Sequence, residues 1–178
     1  MIDLQKNLII SGPPRSGTTM FSAYVDGHSK INWFPDEAFI FEHFWNIGEK
    51  NIHTFIEAAK ISKLDLINGI KDRFIMPPVH EPLSDFPDLK FDWSEEIFLN
   101  KLDLENIHDC EDLWNNLKDS YLSALGMRKK EVVCTKAADF GRSVMGGLKY
   151  INNSYGVIVV RNPIDTINSL KRYRQKGG

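Results

Sequence analysis

Hydrophobic and polar positions follow two different periods along this chain. Leu8-Ile9-Ile10 near the start and Gly156-Val157-Ile158-Val159-Val160 near the end are apolar almost throughout, the pattern of parallel strands buried on both faces. A further apolar strand carries Cys134. Between these strands the spacing becomes helical. Asp36 to Ile47, Ile52 to Lys60, Lys63 to Phe74 and Glu111 to Leu125 carry apolar residues on one face, with Ser, Thr or acidic residues near several starts. Asn162 is placed to cap and Pro163 to open another helix, which runs through roughly Tyr173. Prolines interrupt both patterns from Met76-Pro77-Pro78 to Pro87-Asp88, which reads as a loop and one candidate wall of a substrate cleft. The pattern predicts an α/β fold with a central parallel sheet flanked by helices.

The segment directly after the first strand carries the chemistry. Ser11-Gly12-Pro13-Pro14-Arg15-Ser16-Gly17-Thr18-Thr19 has the spacing of a phosphate-binding loop, with Thr18 where the ordinary G-x4-G-K-[ST] motif has lysine. In the ordinary loop that lysine reaches the β- and γ-phosphates, and the hydroxyl after it holds Mg²⁺. Here the only cation in the loop is Arg15. Backbone N–H groups and a helix start at Thr19-Met20-Phe21 can still wrap an anion. The loop is thus suited to something other than a nucleoside triphosphate. A Gly/Pro turn without a ligand is the bland alternative.

The last strand runs into Arg161-Asn162-Pro163. Arg161 is expected at the carboxyl end of a central strand, where open α/β sheets bind ligands. Ser169 lies about two helical turns on, within reach of the same anion if the helix packs back toward the strand end. An isolated arginine there would more often be a surface salt-bridge residue. Combined with the loop, it is expected to form a second phosphate site.

Pro14-Arg15-Ser16-Gly17-Thr18-Thr19 and the Arg161/Ser169 pair together resemble the PAPS-dependent sulfotransferases. In that family a Pro-Arg/Lys-Ser-Gly-Thr loop holds the 5′-phosphosulfate of 3′-phosphoadenosine 5′-phosphosulfate (PAPS), and an Arg-x7-Ser pair holds its 3′-phosphate. The wording of the loop is closest to the tyrosylprotein, carbohydrate and bacterial branches. Cys134-Thr135-Lys136-Ala137-Ala138-Asp139 through Arg161 is also similar to the tyrosylprotein branch. The resemblance implies a P-loop NTPase-like three-layer fold, with Pro14, Arg15, Ser16, Gly17, Thr18, Thr19, Arg161 and Ser169 binding the cofactor. No histidine lies between Lys136 and Arg161, so the catalytic histidine of the cytosolic branch has no counterpart there.

The carbohydrate and tyrosylprotein branches use instead a glutamate about nineteen residues past the loop's Gly-Thr, which corresponds here to Glu37, with Asp36 beside it as the fallback. Without the resemblance, these two would be read as first-turn acids that complement a helix dipole. The implied reaction is sulfuryl transfer from PAPS to a hydroxyl acceptor on a small molecule, carbohydrate or peptide. Glu37 would take the acceptor's proton as its oxygen attacks sulfur in line. Arg15, Lys136 and the loop N–H groups would stabilise the charge on the departing nucleotide, with Arg142 as the substitute for Lys136. No metal is implied.

Charge refines this picture only slightly. The 178 residues carry a net charge of −2 and are 42% hydrophobic, enough for one substantial core and a single domain over 1–178. Acidic residues outnumber basic ones by about four to one between Glu81 and Asp119, and the ratio reverses from Arg128 to Lys176. The basic end falls on the cofactor side, and the acidic middle argues against a highly anionic polysaccharide. Neither nucleic acid nor membrane is expected as a partner. The two cysteines make no disulfide framework, and Cys134 reads as a buried thiol. The first strand starts so early that no leader or anchor is expected, which predicts a cytoplasmic protein. Family members continue past the Arg-x7-Ser helix, so the resemblance implies a missing C-terminal part. The aromatic group Trp33, Phe34, Phe39, Phe41, Phe44 and Trp45 reads either as core or as an acceptor pocket. Two other functions stay open. A P-loop kinase or NTPase would need an acidic Mg²⁺ partner, for which Asp139 lies too far past Val133. A noncatalytic nucleotide-binding remnant of the same fold is the other.

Overall fold

Because β-branched and apolar residues fill both faces of a parallel strand, the strongest such run should lie innermost, and it does. In the computed structural model, which describes residues 5–34, 41, 45, 94–104 and 106–175, β1 (Lys6–Ser11) lies between two partners. Its neighbours are β3 (Val132–Ala137) and β4 (Ser154–Ile158), and β2 (Ile31–Trp33) flanks β3, giving the order β2-β3-β1-β4. All three pairings are parallel. Ile9, Ile10, Val133 and Cys134 form the centre of the core, none more than 1% exposed. The chain divides into two compact units, one made of Met1–Gly48 and Lys130–Gly178 and the other of Glu49–Lys129.

In the sheet-bearing unit the helices cover opposite faces. Lys136, in register with Ile10, reaches Thr19 in α1 (Thr18–Val25). The adjacent residue Ile9 instead abuts Gly147 in α4 (Arg142–Tyr150). Successive strand residues point to opposite faces, so α1 and α4 do as well. The connections agree with this. From β1 the chain crosses β3 to reach β2, and from β3 it crosses β1 to reach β4, so right-handed crossovers diverge from the boundary between β1 and β3. Such a boundary opens a crevice at the carboxyl ends of the two strands.

The amino ends of the strands are closed by a polar lattice. Asn32, fully buried, accepts from Gln5 Nε2 (3.3 Å) and from the Lys130 amide (2.7 Å). Asn7 Nδ2 donates to the Asn152 carbonyl at 3.1 Å. These bonds hold strand ends in register.

The other unit contains α2 (Glu95–Lys101) and α3 (Cys110–Ala124), which pack together. Ser94 caps α2 by accepting the Ile97 amide at 3.3 Å, and Asp109 caps α3 by accepting the Asp112 amide at 2.8 Å. Four acidic residues of the acidic middle sit in these first turns, as Glu95, Glu96, Glu111 and Asp112. The helix expected over Glu111–Leu125 therefore exists, shifted by one residue to its cap. Phe98, Leu113, Trp114 and Leu117 are its apolar interior.

The last helix, α5 (Pro163–Gln175), starts as expected: Asn162 Oδ1 accepts the Ile164 amide at 2.9 Å and Pro163 opens the first turn. The strand before it differs from expectation. Gly156–Val160 is not a buried central strand: β4 is Ser154–Ile158, the outer strand of the sheet among the described residues, and Ile158 and Val160 are 52% and 79% exposed. An apolar run reads the same whether or not a neighbour pairs with it, so hydrophobicity alone cannot distinguish centre from edge. Cys134 is the buried free thiol expected, and Cys110 is another. Among the described residues no helix is long and apolar enough to cross a membrane. The helices expected over 52–60 and 63–74 and the proline loop over 76–88 lie outside the described residues, as does most of 36–47, of which Phe41 and Trp45 are helical.

Close backbone contact fixes how α4 lies. A β-carbon on Gly146 would sit 1.9 Å from the Phe41 carbonyl oxygen, and one on Gly147 would sit 1.9 Å from Ile9 Cδ1. Alanine at 146 gains about 1 kcal/mol in helix propensity, but it meets backbone that cannot rotate away. Gly146→Ala is expected to lose about 1–3 kcal/mol net by overpacking, read as a lower denaturation midpoint with unchanged slope. An unchanged midpoint would show that the helix shifts freely.

Candidate functional site

Three loops meet at the carboxyl edge of the sheet, around Gly12. The Val159 amide donates to the Ser11 carbonyl (2.7 Å), and the Phe140 amide donates to the Gly12 carbonyl (3.3 Å). A β-carbon on Gly12 would lie 2.4 Å from the Val159 carbonyl oxygen and 2.7 Å from Ser16 Oγ, so only glycine allows this approach. The segments following β1, β3 and β4 are thereby held against one another.

A buried carboxylate secures the junction. Asp139 is 6% exposed and accepts from four donors: Ser11 Oγ (2.5 Å) and the Gly141 amide (3.2 Å) on one oxygen, and the Ser143 amide (2.7 Å) and a short bond from Ser143 Oγ on the other. It thus ties the end of β1 to the first turn of α4, whose orphan amides it satisfies. The sequence offered no role for Asp139, which lies too far past Val133 for the Mg²⁺ partner of a kinase. Both oxygens instead hold the protein's own donors, a role signalled by Ser143 four residues on at the helix start.

The loop itself is tightly wound. The Ser16 amide donates to the Pro13 carbonyl at 3.1 Å, and α1 starts directly after Gly17. Arg15 and Gly17 both have left-handed backbones, at φ 68° and 102°. For arginine that conformation costs about 1–2 kcal/mol, and strain of this kind concentrates at ligand-binding loops. Ser16 is 6% exposed and its Oγ has no hydrogen-bond partner among the described residues, a buried donor left unsatisfied within the turn. Thr18 is buried at the helix start, and the α1 dipole and free amides of its first turn favour an anion there. Pro14 is half-buried.

Two cations reach this loop. Lys136, 3% exposed and near the end of β3, donates from Nζ to Thr19 Oγ1 at 3.1 Å, so an ammonium group from a neighbouring strand stands at the helix start. Arg15 is exposed, with Nε donating to Ser169 Oγ at 3.2 Å and its guanidinium 5.1 Å from the centre of the Tyr173 ring. The first and second sequence motifs are therefore in direct contact through Arg15 and Ser169. Tyr173 was missed in the sequence, although it lies one helical turn beyond Ser169 and on the same face.

The other expected residues are more scattered. Arg161 is exposed between β4 and α5, with no hydrogen bond or ion pair among the described residues. Arg142, the suggested substitute for Lys136, is exposed at the start of α4, whereas Lys136 itself reaches the loop. Phe34 and Phe41 are buried, as core residues are, and Trp45 is 41% exposed. Glu37, Asp36, Phe39 and Phe44 lie outside the described residues.

Gly12→Ala is expected to push the turn off the Val159 carbonyl and weaken anion binding at least tenfold. Sulfate titration monitored by the loop amide resonances measures this, and wild-type affinity in the variant would refute the close approach. No protein-family model and no curated protein matches the chain.

Proposed function

We propose that this chain is a PAPS-dependent sulfotransferase with a P-loop NTPase-like three-layer fold, transferring a sulfuryl group to a hydroxyl acceptor. The observation that carries the reading is the contact between Arg15 and Ser169, which joins the two motifs that would serve the two ends of one nucleotide. The unsatisfied Ser16 hydroxyl and the adjacent helix start supply neutral donors for the 5′-phosphosulfate, together with Gly17, Thr18 and Thr19. Arg161 and Ser169 would serve the 3′-phosphate. Pro14 shapes the turn before Arg15.

Lys136 is the second support. The loop lacks its own lysine, and the ammonium from β3 fills that electrostatic role from the side, next to Thr19. In the reaction, charge gathers on the bridging oxygen as the S–O bond to the nucleotide breaks. Lys136 and Arg15 act on that oxygen, and Glu37 accepts the acceptor's proton. A kinase reading would require a carboxylate free for Mg²⁺, and Asp139 has both oxygens engaged by serine and amide donors.

Calorimetry tests this directly. The expected result is that 3′,5′-adenosine bisphosphate binds without Mg²⁺ and more tightly than ATP; Mg²⁺-dependent binding that favours ATP would overturn the assignment in favour of a kinase. Lys136→Met is expected to lower turnover by about 10²–10³, the usual effect of removing one charge-stabilising donor. Glu37→Gln should lower turnover by about 10²–10⁴ with nucleotide affinity nearly intact. Normal sulfuryl transfer by the latter variant would move the base elsewhere, with Asp36 the next substitution. Binding of the bisphosphate with no transfer to any class of hydroxyl acceptor would leave a noncatalytic nucleotide-binding module.

A further inference from the structure

Arg15 is held by two side chains of one helix. Ser169 and Tyr173 are four residues apart on α5 and so share a face, and both meet the same guanidinium, one by a 3.2 Å hydrogen bond and the other through its ring at 5.1 Å. An arginine in a strained left-handed turn, exposed to solvent, would otherwise sample many rotamers. Here its plane is fixed twice, by the aromatic face and by Nε.

The hydrogen-bond direction matters. Nε–H donates to a lone pair of Ser169 Oγ, which leaves the serine's own hydrogen available as a donor. The guanidinium keeps its Nη edge, the part of the fork that matches phosphate and sulfate geometry. Each group can then donate to an anion, the arginine from its Nη edge and the serine from its hydroxyl, without breaking the bond between them. We propose that Tyr173 is a positioning residue that presents Arg15 and Ser169 as a preformed clasp, Arg15 for the 5′-phosphosulfate and Ser169 for the 3′-phosphate. The inference rests on the proposed function, in which the loop receives an anion, and adds that α5 sets the arginine's orientation before the ligand arrives. A preformed donor set loses less side-chain freedom on binding than a mobile one.

Two substitutions separate the ring from its hydroxyl. Tyr173→Phe keeps the aromatic face, and Tyr173→Leu removes it with an apolar side chain. Since α5 has no buried residues and Tyr173 is 44% exposed, neither change disturbs a core; Tyr173→Gln serves as a polar duplicate of the leucine variant. The first readout needs no ligand. In protein labelled with ¹⁵N-arginine, the Arg15 Nε–H resonance is expected to exchange slowly in wild type and Tyr173→Phe, and to broaden in Tyr173→Leu, Tyr173→Gln and Ser169→Ala. The second readout is titration with inorganic sulfate and with 3′,5′-adenosine bisphosphate. Loss of the ring should weaken both by about two- to fivefold, the equivalent of the roughly 0.5–1 kcal/mol of an exposed cation–π contact, with Tyr173→Phe at the wild-type value.

The clasp is overturned if Tyr173→Leu keeps both the Nε–H signal and the wild-type sulfate affinity, or if Tyr173→Phe loses as much as Tyr173→Leu. If wild type binds sulfate with the expected order among the variants but not the bisphosphate, the clasp stands and the nucleotide assignment falls. If wild type binds neither anion, both fall.

Discussion

The carboxylate of Asp139 is the interaction on which the carboxyl edge of the sheet depends. It lies at the boundary between β1 and β3, where the crossovers diverge, and its four donors come from both sides of that boundary. An ionised group with 6% exposure is tolerable only because every bond it needs is supplied locally. Ser11, held on one oxygen, directly precedes Gly12, so the position of the glycine turn is inherited from this junction. Gly12 in turn admits the Val159 carbonyl and the Ser16 hydroxyl. Once that geometry is set, the loop has little choice about where its amides point.

Cations then approach the loop from separate elements. Lys136 comes from near the end of β3 and is buried, whereas Arg15 comes from the loop and lies on the surface against α5. Burial matters to what each can do. A charge shielded from water acts through a lower effective dielectric and is little screened by salt, while an exposed guanidinium is screened more strongly. Lys136 is accordingly suited to stabilising charge that develops during a reaction, and Arg15 to recognising an anion from solution.

The sequence made β1, β3 and the run of β4, the glycine turn and the end helices legible because each rests on local rules, whereas the three-residue β2 carries no such pattern. Leu8-Ile9-Ile10 ends at Gly12, Asn162-Pro163 starts a helix, and Glu111 to Leu125 has helical spacing; all are decided within a few residues. The relation of β4 to its neighbours was not legible, since pairing is a long-range property and an outer strand can carry the same Val/Ile run as a central one. The site was readable in part for the same reason. Spacing gave Arg15 and Ser169, the family resemblance gave Lys136, and the fold places Ser169 and Lys136 against the loop. The Tyr173 ring and the Asp139 tie depend on how α5 and α4 lie against the loop, which no local pattern encodes. The family resemblance rests on the motifs, and the bond between Arg15 and Ser169 is the geometric fact that bears on it most directly.

The backbone of Arg15 has one more consequence. At φ 68° the position is one that glycine or asparagine would occupy at lower conformational cost than arginine. Glycine there would relax the turn and remove the side chain that reaches Ser169 and Tyr173. Under the proposed function, stability and recognition therefore pull this position in opposite directions, and drift toward a more robust fold would carry the protein toward an inert one.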